Sequence, residues 1–208
     1  MSKKITEVKD QNTEQLILSA ARSVFTKKGF AAARMDDIAQ EAGINRALLH
    51  YYFRSKGKMF DVIFQENLKS FYANFLEILS TDLPIRDKIR SLVYSEIDTL
   101  LERPELPLFI LNEIARNPDN LDEMLQHVEV HSFFKVFVQQ MKAEIAAGNI
   151  RPVDPRQFIM SLMATCIFPF IAKPMLNKVM GISETEFKKV MLARKEVVSE
   201  LLIASLEK

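Results

Sequence analysis

Apolar residues in this chain recur every three or four positions, and no stretch alternates apolar with polar at a period of two. The first spacing lays one apolar stripe along a helix, and the second, which would supply the half-buried face of a strand, is missing. Five Gly and eight Pro in 208 residues are also too few for a turn-rich β architecture. An all-α fold is therefore expected, on a chain long enough for one large or two small domains.

The helices can be placed by their punctuation. A first helix is expected to start at Asn12, with Gln15 as its capping-box partner, and to bury Ile17, Ala20, Ala21, Val24 and Phe25. Lys27, Lys28 and Gly29 end it. A second, short helix runs from about Asp36 to Ala42, with Met35, Ile38, Ala39 and Ala42 inward. Gly43 can close that helix and Asn45 can cap a third, Arg46 to Tyr52. Two short helices joined by a three-residue turn containing Gly form a helix-turn-helix pattern.

Beyond Ser55 the pieces are longer. A fourth helix spans about Lys56 to Leu79, with Phe60, Phe64, Leu68, Phe71, Phe75 and Leu79 inward. Helices over Ile85–Glu102, Leu108–Arg116 and Leu121–Ala147 follow, the last two separated by Asn117-Pro118. Pro155 opens a helix that reaches Ile171, Pro174 and Gly181 punctuate a connection, and Glu184–Leu206 closes the chain. The apolar run Phe158–Ala172 is shorter than the ~20 residues a spanning helix needs, so it reads as buried, and no membrane association is expected. The N-terminal residues have no signal-peptide apolar stretch, which points to the cytoplasm.

Charge is unevenly spread. Residues 1–60 hold 11 Lys/Arg against 6 Asp/Glu, and residues 61–208 hold 17 against 21, giving +5 and −4 within an overall +1. A polyanion is expected to meet only the first segment. A lone cysteine, Cys166, rules out intramolecular disulfides and cysteine-based metal clusters.

Residues 17–60 resemble the TetR family of regulators through several features at matching spacings. These are Ala20-Ala21 and Phe25, Gly29-Phe30, Asp37-Ile38-Ala39, Ala42-Gly43-Ile44, Leu49, Tyr51, Phe53 and Ser55-Lys56. The resemblance implies three N-terminal helices that bind DNA, a helical body that holds a ligand, and two final helices that pair with a second subunit. The expected domains are a helix-turn-helix domain over 1–55 and a ligand-binding and dimerisation bundle over 56–208. Two positions depart from the family pattern. Ala33 and Arg34 stand where a Thr usually caps helix two, so that cap is lost, although Arg34 can reach a phosphate instead. His50 and Tyr52 stand where the family often has Tyr and His.

A helix turns by about 100° per residue. With Leu49 and Phe53 inward, Ala47 and Tyr51 lie opposite, His50 and Leu48 fall on the flanks, and Arg46 occupies the exposed N-terminal end. That end is the one a recognition helix presents to the major groove, and a guanidinium can grip guanine O6 and N7 bidentately. Arg46 is therefore the expected base reader, and Ala47 permits close approach. Leu48 is expected to pack into the core, with a thymine methyl as its alternative partner. His50, Tyr51 and Lys56 suit phosphates, Lys56 because the free N–H groups at a helix start attract anions. Lys3, Lys4 and Lys9 form either an arm along the DNA backbone or a solubilising tail.

In the body, Phe71, Phe75, Phe109, Glu113, His131, Phe134, Met163 and Cys166 are candidate ligand contacts, with Asn112 a further polar one. Most Phe and Met at this spacing build a core, and those around a cavity favour a largely apolar ligand. His127 and His131 have a chelating spacing, but no third ligand is evident, so no metal or other cofactor is expected. Motifs for a nucleophile, a phosphate loop or a metalloprotease are absent, so the chain is not expected to be an enzyme. The expected function is a homodimeric, ligand-responsive repressor on a pseudo-palindromic double-stranded operator. The alternative is a helical ligand-binding or interaction protein whose DNA binding is lost or weak.

Overall fold

A computed structural model describes residues 2–116 and 130–208, and among these the side chains of all but residues 2–11, 70–73, 113, 116, 130, 131 and 133. The described residues form helices and connections without a strand. In chain order these are α1 (Ser2–Ala32), α2 (Met35–Glu41), α3 (Arg46–Tyr52), α4 (Lys56–Ser80), α5 (Ile85–Glu102), α6 (Leu106–Arg116), α7 (Val130–Ala146), α8 (Pro155–Ile171), α9 (Lys173–Met180) and α10 (Glu184–Ala204). The fold is all-α, and the chain divides into two compact units, Met1–Asn67 and Leu68–Lys208.

The first unit closes around Ile17, Leu18, Ala21, Val24 and Phe25 of α1, Ile38 and Ala39 of α2, and Leu49 of α3. The turn between α2 and α3 is a Schellman motif. Gly43 takes φ 66°, a conformation that only glycine adopts without strain, so its N–H reaches Gln40 O at 3.1 Å and Ile44 N–H reaches Ala39 O at 3.0 Å. Asn45 then caps α3, its side-chain oxygen accepting from Leu48 N–H at 2.8 Å. The helix-turn-helix is thus built from the local signals that predicted it.

One expectation for this unit is corrected. The helix does not begin at Asn12: α1 starts at Ser2, because nothing among residues 2–11 is a glycine or proline that would stop it. The first half of α4 belongs to this compact unit, which runs to Asn67. Met59, Phe60, Ile63 and Phe64 of α4 are buried, and Phe60 meets Phe25 and Phe30 edge-on at centroid distances of 5.6 and 4.8 Å. Gly29 interrupts α1 at φ 73°, and Phe30 beyond it lies 5.5 Å from Phe25.

The second unit is organised around α5, whose Ile89, Leu92, Val93, Ile97 and Leu100 are buried against α7, α8 and α10. Asp154 caps α8, and Pro155 occupies its first turn, where a missing N–H costs nothing. Pro169 lies inside α8, and its missing N–H leaves the carbonyl of Thr165, four residues earlier, without its helical partner. Arg194 of α10 supplies one: its Nε and Nη2 donate to Thr165 O at 3.2 and 3.0 Å. The connection expected around Pro174 and Gly181 proves to be a helix, α9. Pro174 falls in its tolerant first turn and Gly181 closes it at φ 65°. Asn117-Pro118 and the expected helix start at Leu121 lie outside the described residues. Among the described residues no single helix is long and apolar enough to cross a membrane.

Candidate nucleic-acid interface and body cavity

Helix α3 buries Leu49 and turns the rest of its surface outward. Arg46, Ala47, Leu48, His50 and Tyr51 are all exposed, Tyr51 at 78% and Leu48 at 38%. The structure therefore brings together on one helix the four α3 residues expected from sequence. It corrects Leu48, which was expected in the core: Leu49 alone fills the inward position of this short helix, leaving the preceding side chain on the outer flank. Arg46 pairs with Asp36 of α2 at 3.0 Å, both side chains being mostly exposed. Such a pair is weak enough to exchange for another partner.

Arg34 is exposed at the N-cap of α2. Its side chain has no acceptor, so it cannot replace the missing Thr cap. Half of the capping interaction survives from the other direction, since the Asp37 carboxylate accepts from Arg34 N–H at 3.0 Å. Lys28 approaches the same carboxylate at 2.9 Å, and its hydrogen bond, aided by that of the Arg34 backbone, holds the Asp37 pKa below the usual carboxylate range. Glu41 is likewise lowered, first by the Ser23 hydroxyl at 2.6 Å and then by Lys27 at 3.0 Å. These acids are thereby tied to α1 rather than left to repel an anion. Arg54, directly after α3, is exposed and was missed by the sequence reading.

Lys56 does not do what its position at a helix start predicts. Its Nζ donates to the carbonyls of Phe30, Ala31 and Ala33 at 2.8, 3.2 and 2.8 Å, and it sits 4.6 Å from the Phe30 ring centroid. An ammonium has three donors, and all three are used. The α1 kink at Gly29 turns these carbonyls toward α4, so Lys56 fastens the end of α1 and is not available to a phosphate. The side chains of Lys3, Lys4 and Lys9 lie outside those described.

In the second unit a cavity of about 170 Å³ is lined by residues of α4, α5, α6 and α8, including Leu68, Leu100, Ile110, Met163 and Ile167. Of the eight ligand contacts expected from sequence, Met163 lines it. Phe75 and Cys166 are buried in the surrounding core instead, and Phe109 and Phe134 are half-buried outside its lining. Phe75 and Cys166 belong to the core, and Phe134 packs against it. Burial, with the charge of Glu96 adding to it, pushes the Cys166 thiol up to about 12, leaving it inert. Asn112 is exposed. The side chains of Phe71, Glu113 and His131, and His127 altogether, lie outside those described. Among the described residues no group of three or more His, Cys, Asp or Glu is placed to hold a metal.

The polar group that sequence reasoning missed is Glu96. It is 1% exposed and lines the cavity, neither carboxyl oxygen has a hydrogen-bond partner among the described residues, and burial pushes its pKa up to about 8. The signal was present in the sequence. Ile89, Leu92, Val93, Ile97 and Leu100 form the apolar stripe of α5, and Glu96 stands within it at helical spacing.

The sequence profile described as "Bacterial regulatory proteins, tetR family" matches residues 17–63, which contain the turn and helix just described. An uncharacterised HTH-type transcriptional regulator of Bacillus subtilis, YhgD, is 27% identical over 143 residues, 68% of this chain and 74% of the relative. The HTH-type transcriptional regulator RutR of Escherichia coli is 26% identical over 157 residues, 73% and 71% of the two chains. Among solved structures, the transcriptional regulator FadR from Bacillus subtilis in complex with stearoyl-CoA superposes with a TM-score of 0.67. It is 17% identical, over 93% of this chain and 99% of that one. Salmonella enterica GusR superposes with a TM-score of 0.66 at 23% identity, covering 94% and 95%. At these identities the structural likeness speaks for the fold.

Proposed function

Because this chain is a DNA-binding transcriptional regulator of the TetR family, and not an enzyme, we propose that it is a ligand-responsive repressor. In this reading it binds a pseudo-palindromic double-stranded operator as a homodimer in the cytoplasm and is released by a small, largely apolar effector. The observation that carries the DNA half is α3, which follows the Gly43 turn and presents Arg46, Ala47, His50 and Tyr51 to solvent. Arg46 at its N-terminal end reads a base edge, while His50, Tyr51 and Arg34 set register on the phosphates. The half-cap from Asp37 keeps α2 closed at its start, which speaks against the alternative of a chain that has lost DNA binding.

The dimer rests on surface that the protomer leaves apolar. Met160 and Phe168 lie on one exposed stripe of α8, and Val190, Val197 and Leu201 on one exposed stripe of α10. The two helices pack together within the protomer, so a second copy would complete a four-helix interface and impose two-fold symmetry on the operator. The cavity supports an effector of modest size. Selection of bound sequences from a random DNA pool tests this function. A palindromic consensus, bound less tightly as salt rises, is the expected result, whereas no enrichment above scrambled DNA would overturn it.

A further inference from the structure

We propose that the cavity in the second unit is the effector site, and that its occupant is a small apolar molecule carrying a protonated amine, held by the carboxylate of Glu96. This deepens the regulatory reading above and rests on it. Size sets the first limit. A space of about 170 Å³ is close to the roughly 150 Å³ in which an apolar protein cavity accommodates a benzene-sized guest. It therefore suits an aryl or short alkyl group with a brief tail.

Lining chemistry sets the second limit. Leu68, Leu100, Ile110, Met163 and Ile167 offer only hydrocarbon and one thioether, so the body of the ligand gains by leaving water. Glu96 is the only described lining residue with a polar side chain. A buried carboxyl is normally satisfied by donors, and here both oxygens lack one among the described residues. An isolated charge in such a site is costly, and the cost is recovered when a hydrogen-bonded counter-charge enters beside it. An ammonium supplies three donors and the opposite charge at once. A carboxylate or phosphate head would meet no basic side chain among the described lining residues and would face Glu96 itself. A neutral alcohol could exchange a hydrogen bond with the carboxyl but could not balance the charge of its ionised form.

The test uses the full chain and three matched probes at pH 7: 2-phenylethylamine, 2-phenylethanol and 3-phenylpropionate. Binding is followed by calorimetry and by thermal shift, for wild type, Glu96→Gln and Glu96→Leu. The amine should bind at least ten-fold more tightly than the alcohol or the acid. Glu96→Gln should weaken the amine by at least ten-fold while changing the alcohol little. Glu96→Leu should remain folded, by circular dichroism, and lose the amine. Equal or tighter binding of the acid or the alcohol, an amine affinity unchanged in Glu96→Gln, or no amine binding at millimolar concentration overturns the proposal. Binding of the selected operator is measured in parallel. Operator binding that is relieved by some other compound sinks the amine assignment alone, whereas absence of any operator binding sinks the regulatory reading.

Discussion

Lys56→Ala separates a structural lysine from a phosphate contact. In the structure its Nζ holds the carbonyls of Phe30, Ala31 and Ala33 at 2.8, 3.2 and 2.8 Å and lies 4.6 Å from the Phe30 ring centroid. Hydrogen bonds from a charged group contribute about 1.5–3 kcal/mol each, less where water competes, and an exposed cation–π contact contributes about 0.5–1 kcal/mol. Two of the three carbonyl bonds are only part-buried and the third is exposed, so the substitution should cost roughly 2–4 kcal/mol. At about 2–4 °C per kcal/mol for a chain of this size, Tm should fall by roughly 4–16 °C. Operator affinity should drop by a similar factor at every salt concentration, because the end of α1 loosens beneath α2. The slope of log K against log salt should not change, since no phosphate charge is neutralised by Lys56. Thermal denaturation and a salt series with operator DNA measure both quantities. If Tm is unchanged and the slope falls by about one, Lys56 is a phosphate contact after all and the fastening role is wrong.

Three further outcomes are expected. Arg46→Ala should cost roughly 1–3 kcal/mol on the selected operator and relax preference at one base pair per half-site; equal weakening on scrambled DNA would reduce Arg46 to a backbone contact. Val197→Asp, at a position 62% exposed in the protomer, should leave helicity intact and convert a dimer to a monomer by light scattering at micromolar concentration, and a variant that stays dimeric places the interface elsewhere. Glu96→Gln should remove a dependence of stability on pH. Burial raises the Glu96 carboxyl from 4.5 to about 8, so the folded chain keeps a proton that the unfolded chain releases between those values. The Glu96 contribution to stability is therefore full below about 4.5 and is lost as pH rises through about 8, by on the order of 5 kcal/mol if the whole difference is expressed. Chemical denaturation of wild type and variant at pH 5 and pH 8 checks this, and parallel pH profiles would refute it.

The legible part of this protein is the part governed by neighbours in the chain. Period-3.6 stripes predicted the helices, Gly43 and Asn45 predicted the turn between α2 and α3, and Pro155 marked the start of α8, because each signal acts within about one helical turn. The exposure of Arg46, Ala47, His50 and Tyr51 on α3 followed from placing Leu49 and Phe53 inward, whereas Leu48, on the flank, was expected in the core and is exposed. Where one proline has two meanings the reading failed: Pro174 looked like a breaker and proved to sit in the first turn of α9. Tertiary structure decided what depended on distant partners. Lys56 is bound to carbonyls 23 to 26 positions earlier in the chain, and nothing near it in sequence reveals that the Gly29 kink aims them at α4. Glu96 was visible as an acid within an apolar stripe. Only the packing of α4, α5, α6 and α8 around it made the position a cavity wall with an unsatisfied carboxyl, since a helix face acquires its chemistry from whatever it is buried against.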